Sequence, residues 1–140
     1  MKKDVFITIK GIQTVDDEKD TTELFTQGNF YKKDDSYYIT YDESEATGFQ
    51  GSTTTLKVEG NDKVTLIRSG STRSHLIAQN GERNIGHYGT TEGNLAIGVY
   101  TKQINANLDE NGGDLFFSYS LDINSHLISE NEVYINIKGN

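Results

Sequence analysis

The stretch Leu115–Ile123, with the sequence LFFSYSLDI, decides the fold. Large apolar residues occupy every second position, and three of the four positions between them are Ser118, Ser120 and Asp122. Because successive side chains of a β-strand point to opposite faces, this alternation predicts a strand with one buried face. Its inward residues are large, so we expect this strand to be the best-buried segment of the protein.

The same alternation recurs along the whole chain. Further apolar runs are Val5/Ile7/Ile9, Tyr37/Ile39/Tyr41, Leu56/Val58, Val64/Leu66, Leu95/Ile97/Val99, Ile104/Ala106/Leu108 and Val133/Ile135/Ile137. Turn-forming residues occur at Asp34-Asp35, Gly60-Asn61-Asp62, Asn80-Gly81, Glu92-Gly93 and Asn111-Gly112-Gly113. Val15–Thr22 (VDDEKDTT) is the least strand-like segment and predicts an acidic loop, and Gly48–Gly51 predicts a bend or bulge. No segment of useful length shows the period of a helix.

Short connections between successive strands predict an up-and-down topology. We therefore expect an all-β protein with one domain over residues 1–140, closed into a single antiparallel barrel of about 8–10 strands. Closure removes the exposed strand edges that invite aggregation. The alternative is a sandwich of two sheets, but its Greek-key connections need longer crossings than this sequence offers.

Composition limits the partners and the chemistry. The chain has a formal net charge of −8, which argues against nucleic acids and anionic membranes because their phosphates attract cationic proteins. It has no cysteine, so disulfides, thiolate zinc sites and cysteine nucleophiles are excluded. The N-terminal apolar stretch VFITI is shorter than the roughly 7–15 apolar residues of a signal peptide. We expect a cytoplasmic protein.

All three arginines of this acidic chain lie within Leu66–Thr90. Arg68 continues the parity of the apolar residues in its strand, which predicts that it points into the barrel near the strand end. Glu43 continues the parity of the Tyr37–Tyr41 run and is its predicted partner, because buried charges must be paired. The other two arginines, Arg73 and Arg83, follow turn residues and are predicted to lie on the surface or near one open end.

These residues form a candidate ligand-binding set inside or near the lumen. His87 shares the parity of Ile85, and two tyrosines have inward parity. The candidate ligand-binding residues are Arg68, Glu43, His87, Tyr41, Tyr119, Arg73 and Arg83. The alternative is structural: an Arg68–Glu43 pair that plugs a barrel filled by its own side chains.

Catalytic and cofactor motifs are absent from the sequence. There is no G-x-S-x-G elbow and no H-E-x-x-H spacing. His75 and His87 lack a third metal ligand in a recognisable pattern, and GSTTT (residues 51–55) lacks the Gly-Lys of a phosphate loop and predicts a strand instead. The acidic segments VDDEKD and LDENGGD have no EF-hand ladder. We therefore predict no metal and no cofactor.

Three long segments resemble the YwiB-like family of uncharacterised bacterial β-barrel proteins. They are residues 37–70 (YYITYDESEATGFQGSTTTLKVEGNDKVTLIRSG), 93–124 (GNLAIGVYTKQINANLDENGGDLFFSYSLDIN) and 129–138 (SENEVYINIK). The resemblance implies a closed, calycin-like and lipocalin-like barrel over nearly the whole chain, and it carries over no catalytic or ligand residues. True lipocalins have a Gly-x-Trp near the first strand, whereas this chain has no tryptophan. A lipophilic-carrier function therefore does not follow from the fold.

The sequence favours a binding module for a small polar or amphipathic ligand, with anionic molecules among the candidates. Two alternatives stay open. One is an enzyme on this barrel that uses Arg68, Glu43 or His87 as electrophile or acid and base. The other is a protein-interaction barrel without a ligand, which the volume of the interior distinguishes from the first two. A small molecule is thus the predicted partner, and the sequence does not specify the oligomeric state.

Overall fold

In the computed structural model the described residues are 2–44, 49–90 and 93–139. Within these ranges the chain forms ten β-strands and no helix, so the described part has no helix that could cross a membrane. The strands are β1 (Lys3–Val15), β2 (Glu18–Lys33), β3 (Ser36–Asp42), β4 (Ser52–Glu59), β5 (Lys63–Gly70), β6 (Ser74–Gln79), β7 (Arg83–Thr90), β8 (Gly93–Asp109), β9 (Gly112–Ile123) and β10 (His126–Gly139).

Pairing between the first and last strands closes the sheet. Each strand is antiparallel to its neighbours in sequence, and β1 also pairs with β10 in a register that runs from Val5 opposite Gly139 to Thr14 opposite Glu130. Closure gives every strand a paired neighbour on both sides. The predicted all-β, closed up-and-down barrel is confirmed, and the two-sheet sandwich is wrong.

Three hairpins turn on two residues that both have positive φ. These pairs are Asp16-Asp17, Asp34-Asp35 and Asn124-Ser125. Positive φ at both central residues is the signature of a type I′ turn, whose twist matches that of the flanking strands. The acidic loop predicted over Val15–Thr22 is wrong, because β1 extends to Val15 and β2 begins at Glu18. The acidic residues of β2 face solvent and do not interrupt its pairing.

The remaining turn predictions mostly agree with the strand boundaries. Residues 60–62, 80–82 and 110–111 connect consecutive strands. Glu92 of the Glu92-Gly93 turn and Gly48 of the Gly48–Gly51 bend lie outside the described residues. Within that second segment, Gln50 and Gly51 form a turn that leads into β4.

A β-bulge joins two apolar runs of opposite parity into one strand. The buried positions Ile97 and Val99 are odd-numbered, whereas the next buried apolar residue, Ile104, is even-numbered. The register between β8 and β9 shifts between Thr101 and Gln103. The extra residue of a bulge exchanges inward and outward parity, so β8 continues unbroken for 17 residues.

The hydrophobic core fills the barrel interior. Its most deeply buried apolar members are Val5, Ile7, Phe30, Ile39, Val58, Val64, Val99, Leu115, Ile135 and Ile137. The prediction that Leu115–Ile123 is the best-buried segment is wrong. Its inward residues are buried only as far as Phe117 and half-buried from Tyr119 onward, because the strand runs out to a hairpin at the barrel end. In β4, by contrast, all inward residues are buried.

Truncation of Phe117 tests the assignment of inner and outer faces on β9. Phe117 is buried in the core, whereas its neighbour Phe116 is on the outer face against Tyr134. Phe117→Ala should lower the free energy of unfolding by about 3–5 kcal/mol, because it leaves a cavity in the core. Phe116→Ala is the matched control and should cost clearly less. Chemical denaturation that gives equal losses for the two variants would show that the faces are inverted.

Candidate functional site

A buried ion pair lies at the end of the barrel where β3 and β5 end and β4 begins. Arg68 Nη2 donates a hydrogen bond to Glu43 Oε2 over 3.2 Å, and the two side chains are 8% and 2% exposed. Thr54 Oγ1 donates to the same carboxylate oxygen at 2.9 Å and accepts from Arg68 Nε at 3.1 Å. The predicted inward Arg68 and its predicted partner Glu43 are therefore present, and Thr54 bridges them.

Strand register explains why these three side chains meet. Tyr41 of β3 lies opposite Thr54 of β4, and Thr54 lies opposite Arg68 of β5. Directly opposed residues on adjacent strands point to the same face, so a row of inward side chains crosses three strands. Glu43 is one residue beyond β3, but its backbone N–H donates to the carbonyl of Ser52 at 2.8 Å. This bond extends the ladder far enough to keep the carboxylate inside.

Phe49 covers the guanidinium group of Arg68. The Arg68 Cζ atom lies 3.9 Å from the centroid of the Phe49 ring, and that ring contacts Tyr88 edge to face at 6.0 Å. The negative face of the ring stabilises the cation.

Sequence reasoning missed both Phe49 and Thr54. Thr54 shares the parity of the apolar residues in β4 and could have been found, whereas Phe49 lies outside any strand and has no periodic signal.

Tyr41 connects the ion pair to the apolar interior. Burial and the negative charge of Glu43 raise its pKa, while Arg68 and a hydrogen bond with Thr54 act in the opposite direction. The neutral phenol is thus the form that fits this position.

One oxygen of the buried carboxylate is unsatisfied. Glu43 Oε1 has no hydrogen-bond partner among the residues that the structure describes, although Oε2 accepts from two side chains. A buried acceptor without a donor loses its hydration and typically costs about 1–3 kcal/mol. The Arg68–Glu43 pair therefore carries no net charge but still has one acceptor, Glu43 Oε1, without a hydrogen bond.

A small apolar cavity of about 110 Å³ lies in the barrel interior, on the core side of Tyr41. Its walls are formed by Ile9, Tyr41, Leu56, Val64, Leu66, Leu76, Ala78, Val99, Phe117, Tyr119, Val133 and Ile135. An engineered apolar cavity of about 150 Å³ in another protein stays dry and binds benzene. The volume here suits a group of only a few carbon atoms, and side chains pack the core around it.

Tyr119 is the second tyrosine in the cavity wall. Burial and the neighbouring Tyr88 raise its pKa to about 12, and the positive charge of Arg68 partly opposes them. Tyr41 and Tyr119 thus form the polar side of an otherwise apolar cavity.

His87 does not belong to this site, and its predicted inward position is wrong. It lies opposite His75 in the pairing of β6 with β7, and both histidines are exposed. Ile85, whose parity suggested that His87 points inward, is 60% exposed. On β7 an apolar residue faces solvent while Asn84 and Gly86 face inward, so apolar parity gives the wrong face. The described residues also contain no cluster of three or more metal-ligating groups.

Arg73 and Arg83 are surface residues, as predicted. Neither of them belongs to the buried cluster of Arg68, Glu43 and Thr54. Arg83 lies on the outer wall, where Nε and Nη2 donate to the two carboxylate oxygens of Asp122 at 3.0 and 2.6 Å. This fork holds the pKa of Asp122 below its usual range. Arg73 is exposed in the segment before β6. Their predicted attraction for an anionic ligand stays a prediction.

Comparisons with known proteins support the predicted family resemblance and the barrel fold. A family model described as a domain of unknown function, DUF1934, matches residues 7–135. The uncharacterized beta-barrel protein YwiB of Bacillus subtilis is 26% identical over 125 residues, which cover 88% of this chain and 86% of that protein. A crystal structure of the ywiB protein from Bacillus subtilis matches with a TM-score of 0.87 at 24% identity, covering 99% of this chain and 93% of that chain.

The ion pair gives a prediction about stability. Arg68→Met leaves Glu43 buried without its cation and should lower the free energy of unfolding by about 3–5 kcal/mol. The double variant Arg68→Met/Glu43→Gln removes both charges and should recover most of that loss. Denaturant titration of the two variants measures the difference. A double variant that is less stable than Arg68→Met would contradict the assignment of a mutually neutralising pair.

Tyr119 gives a prediction about alkaline pH. The unfolded-state pKa of a tyrosine is about 10, whereas the folded-state pKa of Tyr119 is about 12, so the folded protein holds this proton more tightly. The resulting stabilisation is complete below about pH 10 and is lost as the pH rises toward about 12. Tyr119→Phe should therefore show a shallower loss of unfolding free energy over this window than the wild type. Parallel curves for the two proteins would show that Tyr119 titrates normally.

Proposed function

We propose that this chain, which belongs to the family of the DUF1934 domain of unknown function, is a binding module for a small amphipathic ligand. The supporting observation is the apolar cavity whose wall includes Tyr41 and Tyr119, with Tyr41 opposite the Thr54 that bridges the buried Arg68–Glu43 pair. Binding sites typically combine an apolar pocket with a few convergent polar groups. The apolar part of the ligand would fill the cavity, and its polar end would lie on the side of Tyr41.

The cavity size restricts the ligand. A volume of about 110 Å³ does not accommodate a long acyl chain, so we do not propose a lipid-carrier role of the lipocalin type. Barrels of similar strand number are either filled by side chains or hold one small ligand. The packing in this barrel lies between those two cases, because side chains form a packed core and the small cavity beside Tyr41 stays open.

A binding role is better supported than catalysis. The enzymatic alternative uses Arg68, Glu43 or His87, but His87 is exposed on the outer face. The two remaining groups are bonded to each other and to Thr54. A general acid or base needs to reach the reacting proton of a substrate, and an ion pair committed to internal bonds suits recognition better. The interaction-barrel alternative gives the interior cavity no role.

We also propose a cytoplasmic location and no nucleic-acid or membrane partner. The absence of cysteine fits a reducing compartment. The net charge of −8 opposes association with polyanionic surfaces.

Filling the cavity tests the proposed function. Ala78 is a buried residue of the cavity wall, so Ala78→Leu should occupy the space that a ligand needs. Isobutanol added to the wild-type protein should shift the NMR methyl signals of Leu56 and Val99, and Ala78→Leu should abolish this response. Ala96→Leu makes the same substitution at an exposed position and should leave the response unchanged. A wild-type protein without any cavity response would overturn the proposal.

A further inference from the structure

We infer that the ligand presents a neutral hydrogen-bond donor, a hydroxyl or an amide N–H, to Glu43 Oε1. This inference rests on the proposed function and names the chemical class of its ligand: a short-chain alcohol or primary amide with an apolar group of a few carbons. The observation behind it is the unsatisfied oxygen of a carboxylate that is 2% exposed.

The positive charge of Arg68 is neutralised by Glu43. The Arg68 guanidinium donates through Nη2 to Glu43 and through Nε to Thr54, and one of its faces lies against Phe49. The unit charges of Arg68 and Glu43 cancel within this set. A carboxylate ligand that reached Arg68 would lie close to the Glu43 carboxylate, and like charges repel at that distance. The site therefore disfavours anions.

No described side chain donates a hydrogen bond to Oε1. The Thr54 hydroxyl proton is given to Glu43 Oε2, and two hydrogen bonds of Arg68 go to that same oxygen and to Thr54. Buried polar atoms are almost always hydrogen-bonded in folded proteins, so the group that completes this set must bring a proton with it.

A neutral donor fits better than a cationic one. A protonated amine would meet the Glu43 oxygen, but it would add a third charge to a set that is already neutral. Removing an ammonium group from water is costly unless a full counter-charge receives it. A hydroxyl or amide satisfies the same oxygen at a much smaller desolvation cost.

Tyr41 provides the route from the cavity to this oxygen. Glu43 does not form part of the cavity wall, whereas Tyr41 does, and Tyr41 is close enough to Glu43 to sense its charge. Tyr41 therefore borders the cavity and also lies opposite Thr54, which bonds to Glu43. A rotation of the Tyr41 side chain would bring the ligand from the cavity to Oε1.

A matched series of probes tests the class of ligand. Isobutanol, isobutyramide, isobutylammonium and isobutyrate share one branched apolar group and differ in the polar end. Titrations at neutral pH, followed by the NMR methyl signals of Leu56 and Val99, should give at least tenfold tighter binding for the alcohol and the amide than for either ion. Equal or tighter binding of either ion would overturn the inference while supporting the proposed function. If none of the four probes shifts these signals, the proposed function itself fails.

Two substitutions of Glu43 test the recognising atom. Glu43→Gln removes the negative charge at nearly constant size and leaves Arg68 unneutralised, so binding of isobutyrate should increase at least tenfold. Glu43→Asp keeps the charge but withdraws the oxygen, so isobutanol should bind at least fivefold more weakly with no gain for isobutyrate. If Glu43→Gln does not fold, Glu43→Asp still decides the question. Glu130→Gln, at an exposed position, is the control and should leave all four affinities unchanged. Glu43 variants with wild-type preferences would overturn the inference.

Discussion

Closure of the hydrogen-bonded ladder between β1 and β10 is the constraint on which the rest of the structure depends. Because no strand lies at an edge of the sheet, the side chains of the barrel wall face either a shared lumen or solvent. A charged residue with inward parity cannot reach water by moving to an edge, so it must find its partner inside. Arg68 does so through Glu43 and Thr54, and the register of β3, β4 and β5 fixes that meeting point.

The same constraint determines what the sequence could predict. Alternation is a local property, and it placed Arg68 and Glu43 correctly because β5 is regular and the ladder of β3 continues to Glu43. It failed at His87, where the apolar Ile85 faces solvent and Gly86 takes an inward position against Leu76. The rule that apolar residues point inward assumes that the lumen has room for them. At Gly86 a single added carbon would already meet the Leu76 side chain of the neighbouring strand β6, so the inner face has no room for a side chain there.

Other features depend on three-dimensional packing, which alternation does not encode. Phe49 reaches Arg68 from a segment without regular structure, and the volume of the cavity depends on how twelve side chains from different strands meet. The bulge after Thr101 exchanges the parity of β8 and is visible in the sequence only as a change from odd to even apolar positions. Asp16-Asp17 has the same residues as the correctly predicted Asp34-Asp35 turn. The acidic residues after Asp17 suggested a longer loop. That prediction failed because charged side chains that face solvent do not oppose the pairing of a strand.

A structural plug and a binding site use the same ion pair, and hydrogen-bond satisfaction distinguishes them. A plug is most stable when every buried polar atom has a partner, because each unsatisfied atom costs folding free energy. Glu43 Oε2 meets that condition with two donors, whereas Oε1 has none in the described part of the chain. If the pair served only to stabilise the fold, substitution of a residue next to Glu43 would be enough to supply the missing donor. An acceptor left open close to Tyr41, which lines the apolar cavity, is instead an arrangement that a ligand can complete.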